Sequence, residues 1–128
     1  MCKMQAFVNM CQLLDFLENR DRERTVFSYM SGLEVREITG DTFFAHVRRR
    51  AAQLKGMGFN GCHIGLMGRN RWQWMAALCA VFRIGGVAVL LSPELNQEEL
   101  ADAIGRADIC CRPNLRTLIF SIPVFPWL

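Results

Sequence analysis

Lysine is almost missing from this 128-residue chain: Lys3 and Lys55 are the only two, against 13 arginines. Those arginines are spread along the sequence and the formal net charge is only +3, which argues against a nucleic-acid partner. The six cysteines (Cys2, Cys11, Cys62, Cys79 and the adjacent Cys110 and Cys111) show no CxxC spacing, so neither a zinc knuckle nor a redox dithiol is written here. No serine stands in a GxSxG context, and no glycine-rich loop is suited to holding phosphate. The longest apolar runs, Trp74 to Phe82 and Leu118 to Leu128, fall short of the roughly 20 residues that cross a bilayer. Asn9, Gln12 and Asp15 interrupt what would otherwise be a leader-like start. These absences predict a cytoplasmic protein with one modest core, no membrane span and thiols rather than disulfides.

What is present is hydrophobic periodicity with clear punctuation. Asn9 is a good N-cap for a first helix through Leu13, Leu14, Phe16 and Leu17, and the charged run Glu18 to Arg24 reads as a solvated connection. Thr25 to Met30, the turn Ser31-Gly32 and Leu33 to Ile38 read as a β-hairpin. Thr39 caps a second helix whose stripe is Phe43, Phe44, Val47, Ala51 and Leu54, with Gly56 and Gly58 ending it.

Ile64 to Met67 is a short apolar strand, and Asn70 is placed to cap a helix from Arg71 to about Ile84 that is apolar nearly all round. Gly85-Gly86 stops it. Val87 to Leu91 shows no alternation, the pattern of a strand covered on both faces of a parallel sheet. Asn96 with Glu99 forms a near capping box for a fourth helix from about Gln97 to Arg106. Strand, helix, strand, helix predicts an α/β fold, three-layer, with a mostly parallel sheet and crossover helices, plus the N-terminal helix and β-hairpin.

Against this frame the chain resembles, segment by segment, the N-terminal region of the acyl-adenylating enzymes, the AMP-forming acyl-CoA synthetase or AMP-dependent synthetase-ligase superfamily. The resemblance rests on Thr39, Phe43 or Phe44, Ala51-Ala52-Gln53-Leu54 and Gly58, then Asn70, Trp74, Ala76, Ala77, Ala80, Gly85, Gly86, Val87, Pro93, Glu98, Glu99 and Leu100. It runs from about Asn9 to Asp108. Gly40 departs from the aromatic residue usual after the threonine, and Cys62 from the usual aspartate. The resemblance implies residues 1–108 as the N-terminal portion of an AMP-binding domain and 109–128 as a divergent apolar tail.

For a full-length relative the resemblance implies ATP, magnesium and coenzyme A, and a carboxylic acid activated as an acyl-adenylate and passed to a thiol. Here the matched segments are scaffold, and the phosphate loop and catalytic lysine of such enzymes have no counterpart. The reading is therefore a truncated N-terminal fragment, itself inactive, with no catalytic, cofactor-binding or metal residue assigned and no cofactor expected. Arg48 to Arg50 read as a solvated helix face, the segment from Gly68 as an ordinary helix start, and Glu98 and Glu99 as first-turn acids suited to the helix dipole. Trp72 and Trp74 read as packing anchors, Cys62 and Cys79 as buried structural residues, and His46 and His63 gain no carboxylate partner. Ile109 to Cys111 reads as the start of a further strand, and the tail Leu118 to Leu128 as a cover for the sheet or a self-association element. The competing classes are a stand-alone α/β interaction or self-association module and a small nucleotide-binding regulator of flavodoxin-like shape.

Overall fold

The computed structural model describes residues 6–69, 71–107 and 119–121. Their elements run α1 (Met10–Asp21), β1 (Thr25–Ser31), β2 (Glu34–Thr39), α2 (Gly40–Gly56), β3 (His63–Met67), α3 (Trp72–Arg83), β4 (Val87–Leu91), α4 (Gln97–Arg106) and β5 (Ile119–Ser121). The chain divides into two units, 1–46 and 47–128, with the boundary inside α2.

In the first unit Asn9 caps α1 as its sequence predicts, its side chain accepting from the Gln12 amide at 3.0 Å. The helix runs on through Asp21, further than the charged sequence suggested. β1 and β2 pair antiparallel, with Ser31 opposite Glu34 across the two-residue loop Gly32-Leu33. Gly32 sits at φ 66°, a conformation that a β-carbon disfavours. The Thr39 hydroxyl lies 3.5 Å from the Thr42 amide, the position of a helix cap. Gly40 also has a local cause: a β-carbon there would overlap the Asp21 carbonyl. Phe27, Phe43 and Phe44 form a chain of ring contacts with centroids 5.1 Å apart at each step.

The second unit is built on a parallel sheet of order β4-β3-β5. β3 is central and buries Ile64, Gly65 and Leu66 in succession. Its partner β4 pairs in register His63 to Val87 through Met67 to Leu91, joined to it by α3, as the crossover pattern predicted. The expectation that Val87 to Leu91 is covered on both faces does not hold. Among the described residues β4 is an edge strand, with Val87 49% and Leu90 60% exposed. An apolar run without alternation marks a strand able to sit inside a sheet, and strand order decides whether it does.

α3 buries Ala76, Ala77, Cys79, Ala80 and Val81, which at 100° per residue span more than half its circumference. The core joins Leu54 and Phe59 to Ile64, Leu66, Ala77, Ala80 and Val81. At roughly 1.5–3 kcal/mol per large apolar side chain, these contacts are the main source of the unit's stability.

Two helices end in the same way. Phe59 N–H donates to the Leu54 carbonyl and Gly58 N–H to that of Lys55, while Gly86 N–H donates to Val81 and Gly85 N–H to Phe82. With Gly58 at φ 83° and Gly85 at φ 68°, both are Schellman closures, and Phe59 and Leu54 supply the apolar contact of the first. The second closure also ties α3 to the start of β3, because Gly61 N–H donates to the Ile84 carbonyl and Val87 N–H to that of Cys62. α4 opens on a complete capping box, with Glu99 N–H to Asn96 Oδ1 at 2.9 Å and Asn96 N–H to Glu99 Oε2 at 3.1 Å.

β5 lies in the segment read as a divergent tail, and it pairs in parallel with β3, Gly65 opposite Ile119. That part of the tail adds a strand to the sheet, in the manner expected of a covering segment. The strand start expected at Ile109 to Cys111 lies outside the described residues.

Gly56 and Gly86 give substitutions of opposite sign. A β-carbon on Gly86 would meet the Cys62 carbonyl oxygen at 2.9 Å and Val81 Cγ1 at 3.0 Å, whereas one on Gly56 meets nothing within 4 Å. Gly86→Ala is expected to cost about 1–3 kcal/mol from overpacking, and Gly56→Ala to be neutral or to stabilise by up to about 1 kcal/mol. Urea unfolding midpoints check both.

Candidate functional site

In the order β4-β3-β5 the chain leaves β3 for one neighbour and, after α4, comes back on its other side. That reversal is a topological switch point, and in open α/β sheets ligands gather outside the carboxyl ends of the strands there. The residues at that place after β3 are Gly68 and Arg69, followed by Arg71 as the N-cap of α3. Asn70, expected to be the cap, lies outside the described residues. The structure puts the N-cap at Arg71, which is extended and makes no side-chain cap bond, so the helix begins at Trp72. Arginine is a donor only and cannot satisfy the free amides of a first turn.

The other charged candidates resolve into structural roles. Arg48 and Arg49 are exposed on α2, and Arg50, half-buried, donates to Gln53 Oε1 at 2.9 Å. Burial, with Arg49 beside it, pulls the Arg50 guanidinium below its ordinary pKa. Glu99 is occupied by the capping box. Trp74 packs against the core, as a packing anchor should, and so does Cys62. His63 Nδ1 lies 2.8 Å from the Ala107 carbonyl oxygen. Among the described residues no group of three His, Cys, Asp or Glu could hold a metal ion, and no helix is long and apolar enough to cross a membrane.

A shallow open groove of about 370 Å³ runs along α1, lined by Ala6, Phe7, Gln12, Asp15, Phe16 and Asn19. The Gln12 carbonyl oxygen there already accepts from the Val8 amide at 2.9 Å. The lining holds one carboxylate and no nucleophile or basic partner, so it offers no reaction chemistry.

Asp21 is the residue that sequence reasoning missed. Read as part of a solvated connection, it is instead buried at the end of α1, with Arg20 Nε and Nη2 donating to its two oxygens at 2.9 and 2.8 Å and Arg24 forming an ion pair with it at 3.6 Å. The signal was in the spacing, since Asp21 continues the stripe of Leu14 and Leu17 by one further turn. The Arg20 hydrogen bonds hold the Asp21 carboxyl below its ordinary pKa. Because the folded value is the lower one, this stabilisation is complete above the unfolded value of about 3.9 and is lost as pH falls through the folded one. Asp21→Asn is therefore expected to lower the melting temperature at neutral pH and to flatten its fall below about pH 4, read from melting curves across that range.

Cys79 is buried inside α3, and burial pushes its thiol up to about 11. At pH 8 roughly one molecule in a thousand would carry the thiolate. Iodoacetamide is expected to label Cys79 at least about 100-fold more slowly in the native protein than in the denatured one, as mass spectrometry of the labelled peptide would show.

The fold and its local closures define a parallel α/β scaffold without a catalytic constellation among the described residues. The AMP-binding enzyme family matches this chain over residues 16–111, and the chain belongs to that family. No curated protein matches it by sequence. Its fold is similar to CmiS6, at 17% identity and a TM-score of 0.74, covering 98% of this chain and 30% of that one. It is also similar to the N-terminal subdomain of Klebsiella oxytoca NpsA in complex with 3-hydroxyanthranilyl-AMSN, at 16% identity and a TM-score of 0.72, covering 88% and 26%. A fatty acid AMP ligase from Legionella pneumophila is similar at 14% identity and a TM-score of 0.70, covering 89% of this chain and 19% of that one. The chain thus spans less than a third of the length of each.

Proposed function

We propose that this chain supplies the N-terminal scaffold of an AMP-forming acyl-CoA synthetase-type ligase and does not carry out adenylation by itself. The observation that carries this reading is the family match over residues 16–111, which includes the whole β3-α3-β4-α4 unit. The parent reaction joins ATP and a carboxylic acid into an acyl-adenylate with release of pyrophosphate. The acyl group then passes to a thiol such as coenzyme A, and the setting is the cytoplasm.

That chemistry needs donors for the ATP phosphates, carboxylates for magnesium, and a cation over the developing charge between carboxylate and phosphate. The sequence has no phosphate loop for the first. In this family a lysine supplies that cation, and the lysines here, Lys3 and Lys55, stand in no matching context. What the segment contributes instead is a parallel sheet whose strand ends face the place where sheets of this order receive ligands.

The purified chain, mixed with ATP, magnesium, a panel of carboxylic acids and coenzyme A, is expected to release pyrophosphate at the background rate. Sustained turnover that survives repurification would overturn the reading. The DNA following the Leu128 codon supplies the positive test. A frame there encoding a Gly/Ser/Thr-rich loop and a later lysine in catalytic context supports the ligase scaffold, and its absence favours a stand-alone interaction module.

A further inference from the structure

α4 has no fully buried side chain, but Leu100, Ala103 and Ile104 are half-buried; its capping box from Asn96 to Glu99 and its Arg106 to Asp102 ion pair at 3.0 Å are local. A side-chain hydrogen bond also reaches it from the sheet. Ala107, the C-cap of α4, presents its carbonyl oxygen 2.8 Å from Nδ1 of His63, a residue 44 positions earlier. A carbonyl only accepts, so the imidazole must carry its proton on Nδ1 and donate.

The position of this bond gives it a consequence. His63 is the first residue of β3, the central strand. α4 follows β4 and precedes β5 in the chain, and β4 and β5 flank β3 on opposite sides. We propose that His63 is a latch: its Nδ1–H holds the end of α4 at the amino end of β3. The ordinary alternative for an isolated histidine on a strand is packing alone. Packing does not select a tautomer or a carbonyl partner.

Loss of the latch is expected to loosen α4 while β3, α3 and β4 keep their own packing. The test compares the full chain with His63→Ala and His63→Asn, since asparagine places an amide N–H close to the position of Nδ1–H. In His63→Ala the α4 amides are expected to exchange about three- to tenfold faster, the worth of one hydrogen bond, while α3 and β3 amides keep their protection. His63→Asn is expected to stay within about twofold of the parent, again by the worth of that bond. Should His63→Ala fail to fold, nitrogen-15 NMR of the parent decides the matter, because the latch requires the neutral ring protonated on Nδ1. A ring protonated on Nε2 alone, unchanged α4 exchange in His63→Ala, or an equal loss of protection through β3 and α3 would each overturn the proposal.

Discussion

The second unit is built around the close fit of Gly86 against the start of β3, where a β-carbon would meet the Cys62 carbonyl oxygen at 2.9 Å. With no β-carbon at position 86, the Cys62 carbonyl and the Val81 side chain come near enough for Val87 N–H to reach Cys62 and Gly61 N–H to reach Ile84. Those two bonds bring the end of α3 to the beginning of β3. β4 therefore sets off parallel to β3 with His63 opposite Val87, and every later pair in the ladder follows from that first one. A helix that ended one residue earlier or later would shift the register and turn the apolar side chains of β4 to the other face.

Small side chains on α3 extend the same constraint. Ala76, Ala77 and Ala80 are buried, and Ala77 and Ala80 pack in one cluster with Ile64 and Leu66 of β3. Polar side chains serve local structure in the capping box of α4 and in the hydrogen bond between Arg50 and Gln53. Membership of the AMP-binding enzyme family is thus carried by scaffold geometry rather than by reactive residues. A rigid sheet can stay recognisable while sequence identity falls to the 14–17% seen against these solved structures.

Much of this was legible from residues alone, wherever a single local rule decides the outcome. Asn9 and Asn96 cap because their side chains accept from amides two or three residues on. Gly58 and Gly85 close helices because a left-handed residue is needed there. Asp21 was misread for the opposite reason. Amid Arg20, Arg22, Glu23 and Arg24 its charge suggests solvent, and only the packing of α1 shows a buried carboxylate with arginine partners.

By itself the sequence determined the kinds and order of the elements, their caps and stops, and the parallel pairing of β3 with β4, because these depend on neighbours within a few residues or on one short crossover. The tertiary structure decided which strand lies at the edge, that Ile119–Ser121 pairs with β3, that Asp21 is buried and that His63 meets Ala107. Those outcomes join residues far apart along the chain or depend on what lies above a face. Hydrophobicity and propensity describe a residue and its immediate company, and they carry no information about which distant segment arrives beside it.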